Sequence, residues 1–154
     1  MYNYTFTSKN ENDTKSFAKN FAKNISTTLK SKAVIVLTGE LGSGKTKFTE
    51  GFLSYFGLEN EISSPTFTIV NEYHKNAINI FHFDVYRLED SSEFYEIGGD
   101  EYFENGICLI EWGELIEDVL PKDYIHITFS KDENNENLRN LWIESNSNLD
   151  NIIK

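Results

Sequence analysis

The alternation of apolar and polar positions divides the beginning of the chain into a strand and a helix. Residues 2–7 alternate aromatic or β-branched side chains with others, which predicts a short strand. Apolar residues then recur at four-residue spacing, which predicts an amphipathic helix over 14–30 with candidate capping residues over 12–14. The residues of this repeat are Phe17, Phe21, Ile25 and Leu29.

A second unit begins with five consecutive apolar residues at 33–37, most of them β-branched. Such a run is typical of a strand that is covered on both faces, as in a parallel sheet. A glycine-rich turn over 39–44 separates this strand from a predicted helix over 45–56, in which phenylalanine recurs every fourth residue. Gly57 is expected to end that helix.

The rest of the chain predicts further strands and short helices. Strands are expected at 67–73, 78–86, 107–110, 124–129 and 138–144, of which the last pair forms an antiparallel hairpin. Short helices are expected at 91–103, with a break at the Gly98-Gly99 pair, and at 113–119. The residues from Ser145 onward are expected to be frayed. Strands that alternate with helices predict an α/β layered fold.

The chain is strongly acidic. It has 14 Lys and Arg against 25 Asp and Glu, a net charge of −11, and only two arginines, Arg87 and Arg139. Because affinity for nucleic acid comes largely from neutralised phosphates, this composition offers no obvious basic face for DNA or RNA. We therefore expect any contact with RNA to pass through another protein.

Length and composition predict a single cytoplasmic domain over residues 1–154. The longest apolar stretch, 33–37, is far shorter than the roughly 18 residues that suggest a membrane span. The N-terminus lacks the basic and apolar regions of a secretory signal. The single cysteine, Cys108, cannot form an internal disulfide and is expected to be a small buried hydrophobic residue.

The segment 39–46 reads Gly-Glu-Leu-Gly-Ser-Gly-Lys-Thr and fits the phosphate-loop pattern G-x-x-x-x-G-K-[ST] in full. Its glycines permit left-handed backbone conformations, so successive amides can converge on one anion at the N-terminus of the following helix. The Lys45 ammonium is expected to reach the β- and γ-phosphates, and the Thr46 hydroxyl to be a Mg²⁺ ligand. The residues expected to bind the nucleotide are Glu40, Leu41, Gly42, Ser43, Gly44, Lys45 and Thr46. The motif predicts a P-loop NTPase-like three-layer fold whose central sheet is mostly parallel, with antiparallel additions.

Two acidic residues follow apolar segments. Glu111 follows the apolar run 107–110, and Asp84 follows 80–83, a run that His82 interrupts. Mg²⁺ in a phosphate-loop site usually needs a carboxylate at the end of a neighbouring strand. We favour Glu111 as the metal-associated acid and expect Asp84 to hold the metal through water or to orient the attacking water. Spacing alone also permits either acid to be an ordinary strand-terminal residue, and it favours a structural role for His82.

Three further segments accompany the phosphate loop. They read Ser-Pro-Thr-Phe at 64–67, His-Phe-Asp-Val-Tyr-Arg-Leu at 82–88, and Ile-Glu-Trp-Gly-Glu at 110–114. Together with the loop they resemble the TsaE (YjeE) family of small bacterial P-loop ATPases, in both order and spacing. The resemblance covers about 33–143, and the combination is much more specific than the phosphate loop alone.

The resemblance implies an ATPase that is needed to form N6-threonylcarbamoyladenosine at position 37 of tRNA. Family members act with a TsaB–TsaD complex, in which TsaD transfers the threonylcarbamoyl group. ATP hydrolysis by the TsaE-like subunit is thought to reset that complex between turnovers. The acidic charge of the chain suits such a role, because tRNA would contact the partner proteins and this subunit only indirectly.

The resemblance also implies roles for individual residues. Asp84 and Glu111 would be the catalytic and metal-associated acids, alongside the phosphate-binding lysine. Thr66 would belong to a switch-like loop that senses the nucleotide. Trp112 would lie near the nucleotide or the partner surface. Arg87 would pair with an acid or contact the partner.

We expect ATP hydrolysis by the isolated protein to be slow and to be stimulated by TsaB–TsaD. Phosphoryl transfer relies on positioning and charge neutralisation, and Arg87 is the one evident candidate for an arginine finger. Two alternatives stay open: a small-molecule kinase built on the same loop, and a nucleotide-dependent adaptor that never hydrolyses. The chain has no Asn-Lys-x-Asp signature for guanine, which favours adenine.

Overall fold

The predicted strands and helices form one seven-stranded sheet with helices on both faces. The computed structural model describes residues 1–29, 32–40, 42–61 and 69–153. The strands are β1 (Tyr2–Ser8), β2 (Ala33–Thr38), β3 (Val70–Lys75), β4 (Ile78–Asp84), β5 (Ile107–Glu111), β6 (Ile125–Lys131) and β7 (Arg139–Ser145). The helices are α1 (Glu11–Thr28), α2 (Lys45–Ser54), α3 (Ser91–Glu96), α4 (Gly99–Tyr102) and α5 (Asp150–Ile153), with a 3₁₀ segment at Gly113–Val119.

The strand order is β1-β7-β6-β2-β5-β4-β3. Strands β6, β2, β5 and β4 run parallel and form the centre, whereas β1, β7 and β3 pair antiparallel towards the two edges. The apolar strands β2 and β5 lie side by side, each with four buried residues, as expected for strands covered on both faces. The predicted α/β layered fold, with a mostly parallel central sheet and antiparallel additions, is confirmed.

Helices α1 and α2 cover one face of the sheet through the phenylalanines that recur along both of them. Phe21 and Phe48 are buried with their ring centroids 5.9 Å apart, and Phe48 also lies 5.6 Å from the ring of Phe129 on β6. The helices approach closely at Gly51, where a Cβ would lie 2.3 Å from the Lys15 carbonyl oxygen. Glycine at this position therefore sets the distance between the two helices, and so fixes α2 against the sheet.

Gly51→Ala is expected to lower the free energy of unfolding by about 3 kcal/mol, because the added methyl group meets backbone atoms of α1 that cannot move independently. Thermal and urea unfolding measure the effect. Gly57→Ala is the matched control: its Cβ has no neighbour within 4 Å, so the loss comes only from the φ of +74° and is about 1–2 kcal/mol. Equal losses in the two variants would contradict the close helix contact.

The opposite face of the sheet is covered by α3, α4 and the 3₁₀ segment. Phe83 and Ile110 on the sheet are buried in one cluster with Phe94 of α3 and Ile116 of the 3₁₀ segment. Cys108 is also fully buried there, and burial raises the pKa of its thiol to about 12. The prediction that Cys108 is a small buried hydrophobic residue is confirmed.

The first helix begins earlier than its apolar repeat predicts. The helix α1 starts at Glu11 and not at residue 14, because Asn10 caps it: Asn10 is extended, and its side-chain oxygen accepts a hydrogen bond of 2.9 Å from the Asp13 amide. The helix has 18 residues and ends at Thr28.

Within the described ranges, no helix is both long enough and apolar enough to cross a membrane.

The strands predicted at 67–73 and 78–86 are present with shifted ends. Strand β4 ends at Asp84 and not at residue 86, and β3 ends at Lys75 and not at residue 73. Strand β3 begins at Val70, and residues 67 and 68 lie outside the described ranges. The turn between these strands places Asn76 and Ala77 at φ values of 52° and 67°. Strands β6 and β7 form the expected antiparallel hairpin.

The prediction that the chain is frayed from Ser145 onward is wrong for residues 145–153. Ser145 is buried in β7, and Leu149 and Ile152 are each only 2% exposed. The Ile152 carbonyl also accepts a hydrogen bond of 2.9 Å from the Asn24 side chain of α1. These few apolar residues are too sparse to show a pattern, but α1 provides the surface that buries them.

Candidate functional site

The phosphate loop connects the end of β2 to the start of α2. Gly42 and Gly44 have φ values of 79° and 113°, in the left-handed region that other residues avoid. The loop is closed by a hydrogen bond of 3.0 Å from the Ser43 amide to the Glu40 carbonyl. Leu41, also predicted to bind the nucleotide, lies outside the described residues.

The N-terminus of α2 presents backbone donors to the cavity beside the loop. The first hydrogen bond of the helix runs 2.9 Å from the Phe48 amide to the Gly44 carbonyl. The amides of residues 45–47 therefore precede the helical ladder and are available to an anion. Because the helix dipole adds positive potential at this end, the position suits a phosphate group.

The two strand-end acids lie next to this loop because of the sheet order. Strand β2, which leads into the loop, pairs with β5 so that Leu37 is opposite Glu111, and β5 pairs with β4 so that Glu111 is opposite Asp84. The carboxyl ends of these parallel strands therefore meet at one edge. A cavity of about 410 Å³ lies there. Its walls include Asn10, Glu11, Gly42, Gly44, Lys45, Thr46, Asp84, Glu111, Trp112, Asn137 and Arg139.

Glu111 is held by two basic groups. Its Oε2 lies 2.7 Å from His82 Nε2, and its Oε1 lies 3.9 Å from the Lys45 ammonium. Burial acts to raise the pKa of the Glu111 carboxyl, but the His82 hydrogen bond and the His82 and Lys45 charges outweigh it and leave that pKa below its ordinary value. Glu111 is therefore an ionised carboxylate at neutral pH.

Asp84 is half-buried at the cavity wall and is fixed from the backbone. Its Oδ1 accepts a hydrogen bond of 3.0 Å from the amide of Tyr86, two residues further along the chain. This local turn sets the side chain at the end of β4. Asp84 thus contributes carboxylate oxygen to the same cavity as Thr46 and Glu111.

Trp112 covers part of the cavity. The Lys45 ammonium lies 5.3 Å from the centre of the Trp112 ring, within the range of a cation–π contact, and the Tyr86 ring lies 4.8 Å from the Trp112 ring. Trp112 is 37% exposed, and its backbone is left-handed with a φ of 66°. This conformation is rare for a bulky side chain and brings the indole beside the Lys45 ammonium.

Arg139 is a site residue that the sequence did not reveal. It lines the cavity from the start of β7 and donates hydrogen bonds to the carbonyls of Gly42, at 3.2 Å, and Leu138, at 3.0 Å. Its position directly after the polar turn of the hairpin is a signal that could have suggested a contact with the loop. Arg87, by contrast, is exposed and does not line the cavity, and it has no ion pair within the described ranges.

The structure brings most of the predicted site residues together. Gly42, Gly44, Lys45, Thr46, Asp84, Glu111 and Trp112 line one cavity. Ser43 is buried behind it, and its hydroxyl has no hydrogen-bond partner among the described residues. Glu40 is exposed and does not line the cavity. Thr66, like Leu41, lies outside the described residues.

The donor set at this edge fits Mg²⁺. The cavity presents the Thr46 hydroxyl and the carboxylates of Asp84 and Glu111, all of them oxygen donors. Mg²⁺ in nucleotide sites is typically held by one or two carboxylates together with substrate phosphates and water. Such a site needs no cluster of three acidic, histidine or cysteine ligands, and the described part of the chain has none.

The glycine-rich loop between a buried parallel strand and a helix defines a P-loop NTPase-like fold, which is a class of nucleotide-binding proteins. The crystal structure of Bacillus subtilis YdiB has this fold and matches with a TM-score of 0.74 at 33% identity, over 95% of this chain and 87% of that one. The family model described as threonylcarbamoyl adenosine biosynthesis protein TsaE matches residues 8–141. The chain belongs to the TsaE family.

Several relatives carry the name tRNA threonylcarbamoyladenosine biosynthesis protein TsaE, and two of them show the extent of the similarity. The protein of Rickettsia prowazekii is 37% identical over 143 residues, which are 92% of this chain and 95% of the relative. The protein of Bacillus subtilis is 46% identical over 99 residues, which are 64% of this chain and 61% of the relative. The predicted resemblance to this family is confirmed.

Proposed function

We propose that the protein binds and hydrolyses Mg–ATP as a subunit of the system that forms N6-threonylcarbamoyladenosine in tRNA, acting on a TsaB–TsaD complex. The observation that carries the proposal is the convergence of Lys45, Thr46, Asp84 and Glu111 on one cavity at the N-terminus of α2. The family supports the biosynthetic role, since relatives are named for it.

We assign each group a role that its position supports. The free amides at the start of α2 and the Lys45 ammonium would bind the β- and γ-phosphates, while Thr46 and Glu111 would hold the metal. Mg²⁺, when bound, neutralises charge on the phosphates. Asp84, on the neighbouring strand end, would hold the metal through water or orient the attacking water.

We also expect hydrolysis by the isolated protein to be slow. The hydrogen bonds of Arg139 go to backbone carbonyls, and Arg87 is not at the cavity. Positioned positive charge is a large part of the catalysis of phosphoryl transfer. TsaB–TsaD would supply or position what is missing and thereby stimulate hydrolysis. The net charge of −11 fits a subunit that reaches tRNA through those partners.

Reconstitution tests the proposal. Purified TsaB–TsaD, tRNA and the threonylcarbamoyl donor are incubated with or without this protein, and modified adenosine and free phosphate are measured together. We expect repeated turnover only with both the protein and ATP, and faster phosphate release in the presence of TsaB–TsaD. A non-hydrolysable ATP analogue is the matched control. Equal modification with and without the protein would refute the biosynthetic role.

A further inference from the structure

An imidazole interrupts the apolar strand β4 just before the site. His82 is 4% exposed and lies on the same face of the strand as Ile80 and Asp84, because side chains alternate along a strand. It does not line the cavity that would hold the nucleotide. Its contact with the site is therefore indirect.

The two ring nitrogens of His82 have different surroundings. Nε2 lies 2.7 Å from Glu111 Oε2, whereas Nδ1 is buried and has no hydrogen-bond partner among the described residues. A carboxylate only accepts hydrogen bonds, so the proton is on Nε2. His82 thus presents its Nε2–H to Glu111.

Lys45, the second group that holds Glu111, has another task in the proposed function. Its ammonium is 3.9 Å from Glu111 Oε1, and nucleotide phosphates would compete for it. Once Lys45 binds phosphate, the hydrogen bond from His82 still fixes Glu111. The strand register supports this contact. Glu111 on β5 is directly opposite Asp84 on β4, and Asp84 lies two residues beyond His82 on the same face of that strand.

We propose that His82 is a positioning residue for ATP hydrolysis: its Nε2–H orients the Glu111 carboxylate while Lys45 is engaged by the nucleotide. The inference rests on the proposed ATPase function and deepens it. A merely structural role, in which the ring only fills buried space, predicts that an apolar side chain of similar size leaves the rate of hydrolysis unchanged.

Three substitutions separate the two roles. His82→Gln keeps an N–H donor at the place of Nε2, His82→Asn places its donor near Nδ1, and His82→Leu has none. We expect the kcat for partner-stimulated hydrolysis to fall about 10- to 100-fold in the Asn and Leu variants, and to recover largely in the Gln variant. The Kd for Mg–ADP, measured by calorimetry, should be nearly unchanged in all three.

A measurement on the nucleotide-free protein tests the contact without activity. The chain has three histidines, so nitrogen-15 NMR of the imidazoles can be assigned by comparison with His82→Gln. We expect the Nε2 of His82 to carry a proton that is hydrogen-bonded to Glu111. Exchange of that proton with water should be slow in the wild type and faster in Glu111→Ala.

The outcomes are distinct. Wild-type kcat in His82→Leu, equal losses in all three variants, a parallel loss of Mg–ADP affinity, or an Nε2 without a proton would each overturn the inference. If the wild-type protein itself releases no phosphate with its partners, the proposed function fails and this inference fails with it. Hydrolysis by the wild type and by His82→Leu at the same rate would overturn the inference alone.

Discussion

Lys45→Ala is expected to weaken binding of Mg–ATP by about 100-fold or more. The variant removes one partner of the buried charge pair that the ammonium would form with a nucleotide phosphate, and such a removal usually has an effect of this size. The Lys45 side chain is only 11% exposed, and its ammonium lies 3.9 Å from the Glu111 carboxylate and 5.3 Å from the centre of the Trp112 ring. Without it, a triphosphate would enter a protein of net charge −11 whose cavity wall has lost the ammonium beside Glu111. Calorimetric titration with Mg–ATP measures the loss.

The control for this variant removes the same charge elsewhere. Lys15→Ala changes an α1 residue that is 40% exposed and pairs with Glu50 at 3.3 Å, outside the cavity. It should bind Mg–ATP like the wild type and support tRNA modification in the reconstituted system. Lys45→Ala should fail in both assays. Binding by Lys45→Ala within a few-fold of the wild type would show that the loop does not hold the triphosphate.

Glu111→Gln is expected to lower the rate of ATP hydrolysis by about 10²-fold or more while nucleotide binding is retained. Glutamine has the shape of glutamate and can still accept a hydrogen bond from His82, so the change removes charge with little effect on packing. The phosphates no longer compete with a carboxylate at position 111 for the Lys45 ammonium, so the affinity for nucleotide is preserved. Phosphate release with TsaB–TsaD and calorimetry with Mg–ADP measure the two effects separately.

Glu114→Gln is the matched control, because Glu114 is exposed, accepts a hydrogen bond of 3.0 Å from Thr38, and does not line the cavity.

The measurements on Glu111→Gln and on the wild type also distinguish the proposed function from the adaptor and kinase alternatives. If Glu111→Gln loses hydrolysis but still supports tRNA modification, the protein is an adaptor that needs only the bound nucleotide. If the wild type transfers phosphate to a metabolite and releases none, it is a kinase.

The centre of the fold could be predicted because local signals agree there. A doubly covered strand, a complete phosphate-loop motif and a helix with phenylalanine at every fourth residue follow one another over 33–56. The same signals did not predict the chain ends correctly, because capping and tertiary contacts determine the structure there. The start of α1 depends on the Asn10 cap, and the order of 145–153 depends on Leu149 and Ile152 meeting α1.

The candidate site was likewise predictable only in part. Two acids that follow apolar strands were expected to serve the metal or the attacking water, and the strand register places Asp84 opposite Glu111. The contact of His82 with Glu111 and of Arg139 with the Gly42 carbonyl could not be predicted, since both depend on which strands are neighbours and on how the β6–β7 hairpin lies over the loop. Sequence spacing carries no information on either arrangement.

The left-handed backbone at Trp112 has a consequence for engineering this protein. Such a conformation costs a bulky residue about 1–2 kcal/mol that glycine would recover. Automated redesign that ranks substitutions by folding energy alone would therefore favour glycine at this position and discard the indole above the Lys45 ammonium. Any stabilised variant intended for biochemical work should keep this residue fixed.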